Sequence, residues 1–526
     1  MSSYEETSSF KTALYSETIP QTTRSLQTIP GLDALLFIAA LDLTIIATVY
    51  VEIANSFNAL SRAEWTVTSY MLASTAIQPL FGKFSDILGR TKAIVAAVLL
   101  FVLGSILCAV SRSMDVLIIS RAVQGLGGGG IMSLIFVVIA DILSERERGK
   151  YIGVFTCTWG FASAVAPILG GVIVQHADWR LIFWINIPFC AIALVLVLFA
   201  MRLPRPGGSV KEKAKKIDVL GACVFLAGTV PLLLGLSWGG REHSWTSPLV
   251  LSCVIAGPLL LVVFFVIEWR IPREPIVPSR LLGIRNVALS AVGHFFYGAA
   301  GYGPIVFVPQ WALLVRGANA ISAGIHLLPF TVGTVLTSVA GGYMMTRTGR
   351  YRRLIVAGSI MLGVGNGLLI LLDQWSSIKL QTGVLFLSGL GAGACIQPIM
   401  MAAQAAVTGH DMAAVTTLCA FLRSLGGIIC VAILSSIMHS VIRTELTQLA
   451  LDHPLYIFII ARVADNQSAI YADDVSEELR AIIVGIYMKA MRLAFYALLP
   501  FSILLFLSTL GFKHVELNRQ RKKTIE

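Results

Sequence analysis

The chain has 526 residues, a length at which a soluble protein holds three or four domains of about 150 residues each. Its composition excludes that arrangement, because 56% of the residues are hydrophobic and only 13% are charged, whereas a soluble domain carries about 25% charged residues. The net charge of +11 comes from residues that lie between long apolar runs rather than within them. We therefore expect an all-α membrane protein.

Fourteen apolar runs are long enough to cross the hydrocarbon core, which takes about 20 residues of helix. They are expected at 32–52, 66–84, 93–111, 115–140, 150–173, 181–201, 219–238, 249–269, 287–310, 323–345, 354–372, 380–406, 413–440 and 493–511. The remaining segments are a cytosolic tail, a basic cytoplasmic linker, a cytoplasmic loop, a long outer loop and a second cytosolic tail, at residues 1–31, 202–218, 270–286, 441–492 and 512–526. The polar first tail lacks the apolar core of a signal peptide.

The basic residues of the short loops orient the chain. Most of them fall on the same side as the N-terminus, and short loops rich in Lys and Arg stay in the cytoplasm. Both termini are therefore expected to be cytoplasmic. The sequon at Asn466 then falls in the outer loop, which predicts a glycosylation site there.

The sequence repeats itself at an offset of 260 residues. Gly82, Gly89 and Arg90 follow span 2, and the same spacing recurs after span 10 in a second triplet, Gly342, Gly349 and Arg350. Transporters are commonly built from such repeats. The pattern predicts two related six-helix halves, at 32–201 and 287–511, with spans 7 and 8 as an inserted pair at 219–269.

These residues resemble a known family. The segment Gly82-Lys-Phe-Ser-Asp86-Ile-Leu-Gly89-Arg90 is similar to the signature loop after span 2 of the major facilitator superfamily. Leu41-Asp42-Leu43-Thr44 resembles the first-span motif of its fourteen-span drug:proton antiporter branch, and Arg121-Ala-Val-Gln124-Gly125 resembles the fourth-span motif. Further segments, at 179–188, 236–240 and 423–427, resemble fungal members of that branch. The resemblance implies export of drugs or toxins in exchange for protons.

A proton-coupling pair is expected at Asp42 and Arg121. Asp42 lies about 15 Å into span 1, at about 1.5 Å per residue, and a carboxylate near the bilayer midplane is a functional candidate. An Asp bonded to a neighbouring helix for structural reasons is the alternative. The resemblance implies that Arg121 takes part in coupling, since its charge would lower the proton affinity of an approaching carboxylate. Asp42 has the neutral Tyr302 as its counterpart 260 residues on.

Two groups of residues are expected to govern the conformational change. The resemblance implies that the loop after span 2 latches the two halves together on the cytoplasmic face; its residues are Gly82, Asp86, Gly89 and Arg90. In span 5, Pro167 removes one helix hydrogen bond and so permits a bend. The small residues that accompany it, and that allow close packing of spans, are Gly160, Gly170 and Gly171.

The substrate pathway is expected to be polar but almost uncharged. Its candidate residues are Gln124, Gln310, Gln397, Gln404 and Arg423. Each glutamine is as readily explained by a hydrogen bond between helices, and Arg423 by a packing pair. His294 and His326 are alternative proton sites. Such a pathway suits a bulky amphipathic organic molecule.

Several other activities are excluded. Gly125, Gly127 and Gly130 match GxGxxG, but no strand precedes them, so close packing of helices explains them better than a dinucleotide site. Neither a GxxxxGK[ST] loop nor a hydrolase motif is present, which leaves an ion gradient as the energy source. We expect no enzyme activity, no cofactor and no metal, and we interpret the eight cysteines, all in apolar runs, as packing residues.

The sequence thus predicts a monomeric proton-coupled antiporter that exports a hydrophobic or amphipathic drug, toxin or secondary metabolite. Its partners would be that small organic substrate, protons and the lipid bilayer, with no nucleic acid. The plasma membrane is the expected location, and the vacuolar membrane is the alternative. Two other functions stay open: transport of basic amino acids or siderophores by a fourteen-span carrier, and a membrane sensor that transports nothing.

Overall fold

A computed structural model describes residues 2–57, 59, 62–63, 65–201, 218–240, 243–270, 275–318, 320–407, 411–465, 470–472, 474–513 and 515. Most of the basic linker, the sequon at Asn466 and most of the C-terminal tail lie outside these residues.

The described residues form fourteen long helices and no β-strand. In chain order they are α1 Ser2–Ser56, α2 Trp65–Leu88, α3 Arg90–Ala109, α4 Met114–Ile142, α5 Glu145–His176, α6 Leu181–Ala200, α7 Val219–Trp238, α8 Pro248–Arg270, α9 Arg285–Arg316, α10 Ala320–Thr348, α11 Arg352–Leu368, α12 Ile378–Gln404, α13 Met412–Asp452 and α14 Glu477–Leu510. The all-α prediction is confirmed.

Within the described residues, 13 helices are long and apolar enough to cross a membrane. Only α2 is absent from this set, because its sequence is rich in Thr and Ser and also carries Gln78, Lys83 and Asp86. Its 24 residues are nevertheless long enough to span, and it packs against α4 and α13 inside the bundle. Within α1, the apolar segment is Thr28–Tyr50.

The long outer loop expected at 441–492 is largely helical instead. Helix α13 continues to Asp452 and α14 already begins at Glu477, with a short helix, Ile457–Asp465, between them. The extensions are amphipathic and pack on each other, so they hold together beyond the apolar core. Their buried side chains include Leu446 and Ile483, and Lys489 Nζ donates to Glu445 Oε1 at 2.6 Å.

The two halves repeat the same packing scheme. In the N-terminal half α1 packs on α5 and α6, α4 on α2 and α3, and α3 on α6. The equivalent pairs in the C-terminal half are α9 with α13 and α14, α12 with α10 and α11, and α11 with α14. The predicted two six-helix halves with an inserted pair are therefore confirmed.

Glycines on α4 and α12 allow this close packing at equivalent points. A Cβ on Gly125 would collide with the Tyr70 carbonyl oxygen of α2, and one on Gly389 would collide with the Phe330 carbonyl oxygen of α10. Gly127 likewise leaves no space for a Cβ beside the Phe101 backbone of α3. The glycines therefore serve helix packing, as the sequence indicates.

Two seams join the halves. At the first seam α5 packs on α10, and at the second α2 packs on α13. The inserted helix α7 contacts both α2 and α13, and the Phe225 ring of α7 lies 5.2 Å from the Phe421 ring of α13. In the loop between α7 and α8, the Trp245 indole nitrogen donates to Ser436 Oγ of α13 at 2.7 Å. The inserted pair thus lies across the second seam.

Candidate functional site

The charged centre of the N-terminal half joins Asp42 and Arg121. Arg121 Nη1 donates to Asp42 Oδ2 at 2.7 Å, and both side chains are 0% exposed. The other carboxylate oxygen, Oδ1, accepts from Gln124 Nε2 at 2.9 Å and from Asn186 Nδ2 at 2.7 Å. Three donors from α4 and α6 therefore meet one carboxylate of α1.

Other groups fix the orientation of these donors. Ser105 Oγ of α3 accepts from Gln124 at 2.8 Å and from Asn186 at 3.0 Å. Arg121 Nε donates to the Thr66 carbonyl oxygen at 2.9 Å, and its guanidinium lies 4.5 Å from the centre of the Tyr70 ring. Five helices thus contribute to one buried network.

The network can respond to a single proton. Removing one partner from a buried ion pair leaves the other charge uncompensated, at a cost of about 3–5 kcal/mol. Protonation of Asp42 would leave the charge of Arg121 uncompensated in this way. The Nη2 atom of Arg121 already has no hydrogen-bond partner in the described part of the chain. The arrangement can therefore couple proton binding to a change in helix packing.

A second charged cluster lies at the end of the same half that is expected to face the cytoplasm. Arg90 Nε donates to Asp141 Oδ2 at 2.7 Å, and Arg90 Nη1 donates to Asp86 Oδ1 at 2.5 Å. Gly89, with φ of 97°, makes the tight turn that places Arg90 beside Asp86. Arg90 therefore compensates the charge of Asp86, which lies near the C-terminal end of α2, where the helix dipole disfavours an anion.

Gly82 brings this loop region to the other half of the molecule. A Cβ at Gly82 would lie 2.5 Å from Thr417 Oγ1, near the start of α13. Gly82, within the last two turns of α2, therefore packs directly against the other half of the molecule.

The four predicted residues of α5 have different surroundings. A Cβ at Gly160 would lie 2.9 Å from Val335 of α10, in the first seam, and a Cβ at Gly324 of α10 would lie 3.8 Å from Pro167. Gly170 faces Thr48 of α1, whereas Gly171 has nothing within 4 Å. The structure thus brings two of the four residues to the seam.

Two predicted pathway glutamines lie in contacts between the halves. With its amide oriented to match its neighbours, Gln397 Nε2 donates to the Gly149 carbonyl oxygen at 3.1 Å. Arg148 Nη1 donates to Gln404 Oε1 at 3.4 Å. We call Gln397, Gly149, Arg148 and Gln404 the cytoplasmic clasp, because they lie at the end of the bundle that is expected to face the cytoplasm. Gln124 belongs to the Asp42 network, so none of these three glutamines stands open in this conformation.

The remaining pathway candidates lie in the C-terminal half. Gln310 is half-buried on α9, and its Oε1 has no hydrogen-bond partner in the described residues. Arg423 is half-buried on α13, and its Nε is likewise without a partner. His294 is fully buried, with its Nδ1 2.8 Å from the Ser290 carbonyl oxygen.

His326 lies in a different environment. It lines a groove of about 500 Å³ between α10 and α12, most of whose lining is apolar. Its Nδ1 lies 2.5 Å from Gln381 Nε2.

Sequence reasoning missed several members of these clusters. Asn186 stands in one of the motifs that carry the resemblance, and Ser105 and Asp141 carry no signal of their own. A second intramembrane carboxylate was also missed: Asp33 of α1 accepts from Thr158 Oγ1 at 2.9 Å, and its Oδ1 has no partner in the described residues. The described residues hold no group of His, Cys, Asp and Glu that could bind a metal ion.

Comparison with known proteins gives the same fold. The crystal structure of the human organic anion transporter MFSD10 (TETRAN) matches with a TM-score of 0.58 at 14% identity, over 90% of this chain and 99% of MFSD10. At that identity the likeness concerns the fold alone.

Relatives and a family model extend the match to sequence. The MFS-type efflux pump LUC4 of Fusarium sp is 33% identical over 478 residues, 89% of this chain and 84% of LUC4. The vacuolar membrane amino acid uptake transporter fnx2 of Schizosaccharomyces pombe is 33% identical over 421 residues, 80% of this chain and 73% of fnx2. The model of the Major Facilitator Superfamily matches residues 32–431. This multi-pass membrane protein therefore belongs to the Major Facilitator Superfamily.

Proposed function

We propose that this chain is an efflux antiporter that exports a hydrophobic or amphipathic small molecule, such as a toxin or secondary metabolite, in exchange for protons. The observation that carries the proposal is the fully buried pair of Asp42 and Arg121. The similarity of the chain to efflux pumps such as LUC4 supports export as the direction of transport. In this proposal the chain acts as a monomer in the plasma membrane.

Asp42 would carry the proton. As a carboxylate it accepts hydrogen bonds from three side chains and neutralises Arg121. A proton arriving from outside would break the ion pair and loosen α1 from α4 and α6. Its release to the cytoplasm would re-form the pair, so each proton would drive one cycle of repacking.

The test uses Asp42→Asn, which keeps the size and much of the hydrogen-bonding capacity of the side chain but cannot titrate. Transport is measured in sealed vesicles with an imposed pH gradient. The transport probes are 2-naphthoate, 2-naphthamide and 2-naphthylmethylammonium. Wild type is expected to accumulate at least one of these probes against its concentration gradient, and Asp42→Asn is expected to lose that accumulation. Downhill exchange is expected to survive.

Glu52→Gln is the matched control, because Glu52 lies on the same helix but is exposed near its outer end. It should transport like wild type. Uphill transport by Asp42→Asn at the wild-type rate would contradict the assignment and direct attention to His294 and His326.

Transport of amino acids across the vacuolar membrane is the second candidate, and the likeness to fnx2 favours it. Fluorescent tagging of the chain at its native expression level separates the two. Vacuolar fluorescence together with uptake of labelled lysine or arginine into isolated vacuoles would replace the efflux proposal.

A further inference from the structure

Each half of the carrier holds one arginine deep in the bundle, and the two differ in how their charge is met. Arg121 is paired with Asp42 at 2.7 Å. Arg423 of α13 has neither an ion pair nor a hydrogen bond from its guanidinium to any described residue, and its Nε is buried without a partner. The C-terminal half therefore holds a cation that the described protein does not neutralise.

The depth of Arg423 in the bundle makes its unneutralised charge exceptional. It lies about 16 Å along α13 from Met412, at about 1.5 Å per residue, which places it well inside the membrane. Its backbone is held firmly, because the Arg423 carbonyl oxygen occupies the space where a Cβ of Gly298 on α9 would stand. The side chain as a whole is only half-buried, so its head reaches accessible space.

Among the described residues, the neighbours of Arg423 supply no negative charge. The groups within its electrostatic reach on α9 are His294 and Tyr297, both buried. An intramembrane arginine is expensive and is normally paired or faces a water-filled cavity. The missing counter-charge must then come from water and small ions, or from the molecule being carried.

We infer that Arg423 is the docking point for the negatively charged group of the substrate, and that this carrier exports amphipathic organic anions such as carboxylates or phenolates. A guanidinium offers paired N–H donors that match a carboxylate. This inference rests on the proposed efflux function, because it names the charge class of the molecule that is carried.

Asp33 provides the competing possibility, since a cationic substrate could dock there. Its carboxylate already accepts a hydrogen bond from Thr158, and it lies only about 8 Å along α1 from Thr28, near the cytoplasmic end. Arg423 is deeper and has no bond at all, so the anion is favoured.

The test measures equilibrium binding to the full chain in lipid nanodiscs, with the same three naphthalene probes. These probes share one aromatic body and differ in charge: 2-naphthoate is an anion, 2-naphthamide is neutral and 2-naphthylmethylammonium is a cation. Wild type is expected to bind 2-naphthoate about tenfold or more tighter than the other two. Arg423→Gln is expected to lose that preference, and Arg423→Lys to keep most of it.

Controls separate charge from folding and from coupling. Arg443→Gln removes an exposed arginine of the same helix and should bind all three probes like wild type. In Arg423→Gln the affinity for 2-naphthamide should stay within about twofold of wild type, which reports an intact site. Binding needs no proton gradient, so failure of uphill transport would count against the efflux proposal and leave this result standing.

The inference is overturned if wild type binds 2-naphthoate no better than 2-naphthamide. It is equally overturned by tighter binding of the cation, or by an unchanged 2-naphthoate affinity in Arg423→Gln.

Discussion

At the scale of single residues, the decisive feature is the number of partners that Asp42 has. Two of its three donors, Arg121 and Gln124, stand three residues apart on one helix and were recognisable from the sequence. The third, Asn186, comes from α6, and the shared acceptor Ser105 comes from α3. Nothing in the sequence sets the distance between those helices, so the complete network became visible only in the fold.

Replacing Asn186 tests whether the network is functional or merely structural. Asn186→Leu keeps the branched shape of the side chain but removes one hydrogen bond to Asp42 and one to Ser105. We expect a loss of about 1–3 kcal/mol in the free energy of unfolding, together with a marked loss of uphill transport. Thermal unfolding and the pH-gradient assay measure the two effects.

Asn366 offers a matched control in the other half. It is also fully buried, and its Nδ2 donates to the Ala300 carbonyl oxygen at 2.9 Å and to Ser502 Oγ at 3.2 Å. Asn366→Leu should lose similar stability and yet still pump uphill once folded. If both variants pump equally well at equal expression, the N-terminal network has no special part in coupling.

At the scale of helices, composition predicted the spans, and the packing of small residues explains how they approach each other. Hydropathy alone would have omitted α2, whose polar residues lie in the bundle, and it gave no sign that α13 and α14 continue past the apolar core. Both differences have one cause: a helix buried against protein need not be apolar along its whole length.

Gly127 and Gly171 should respond very differently to the same substitution. A Cβ at Gly127 would collide with the backbone of α3, whereas a Cβ at Gly171 would have open space. We expect Gly127→Ala to lower the free energy of unfolding by about 1–3 kcal/mol and Gly171→Ala to leave it nearly unchanged. Thermal unfolding in detergent measures both. Equal melting temperatures would mean that the α3–α4 contact is looser than described, and slowed transport by Gly171→Ala would support its expected role in gating.

At the scale of the whole molecule, the two halves are in contact at the ends that are expected to face the cytoplasm. The cytoplasmic clasp joins α5 to α12, and Gly82 meets Thr417 at the other seam. The repeat at an offset of 260 residues predicted two halves, because the same three residues recur in both. It could not predict which helices meet across the halves, since that contact depends on the conformation of the carrier.

A reversible cross-link tests whether the first seam must open. A Cβ at Gly153 would lie 3.2 Å from Val339 Cα, close enough for Gly153→Cys and Val339→Cys together to form a disulfide. With the eight native cysteines replaced, oxidation is expected to stop transport and reduction to restore it. Each single variant serves as a control for the substitution itself. Undiminished transport by fully cross-linked protein would show that the seam stays closed throughout the cycle.

Among the described helices, the inserted pair covers one of the two seams and leaves the outer surface of the other uncovered. Helix α7 contacts α2 and α13, and Trp245 in the loop after α7 adds a hydrogen bond to Ser436. The inserted pair therefore shields the second seam from lipid. The equivalent seam between α5 and α10 has no such cover from α7 and α8 in the described residues. If the first seam opens during the proposed transport cycle, a substrate dissolved in the lipid would therefore reach the interface between the halves from one side of the bundle only.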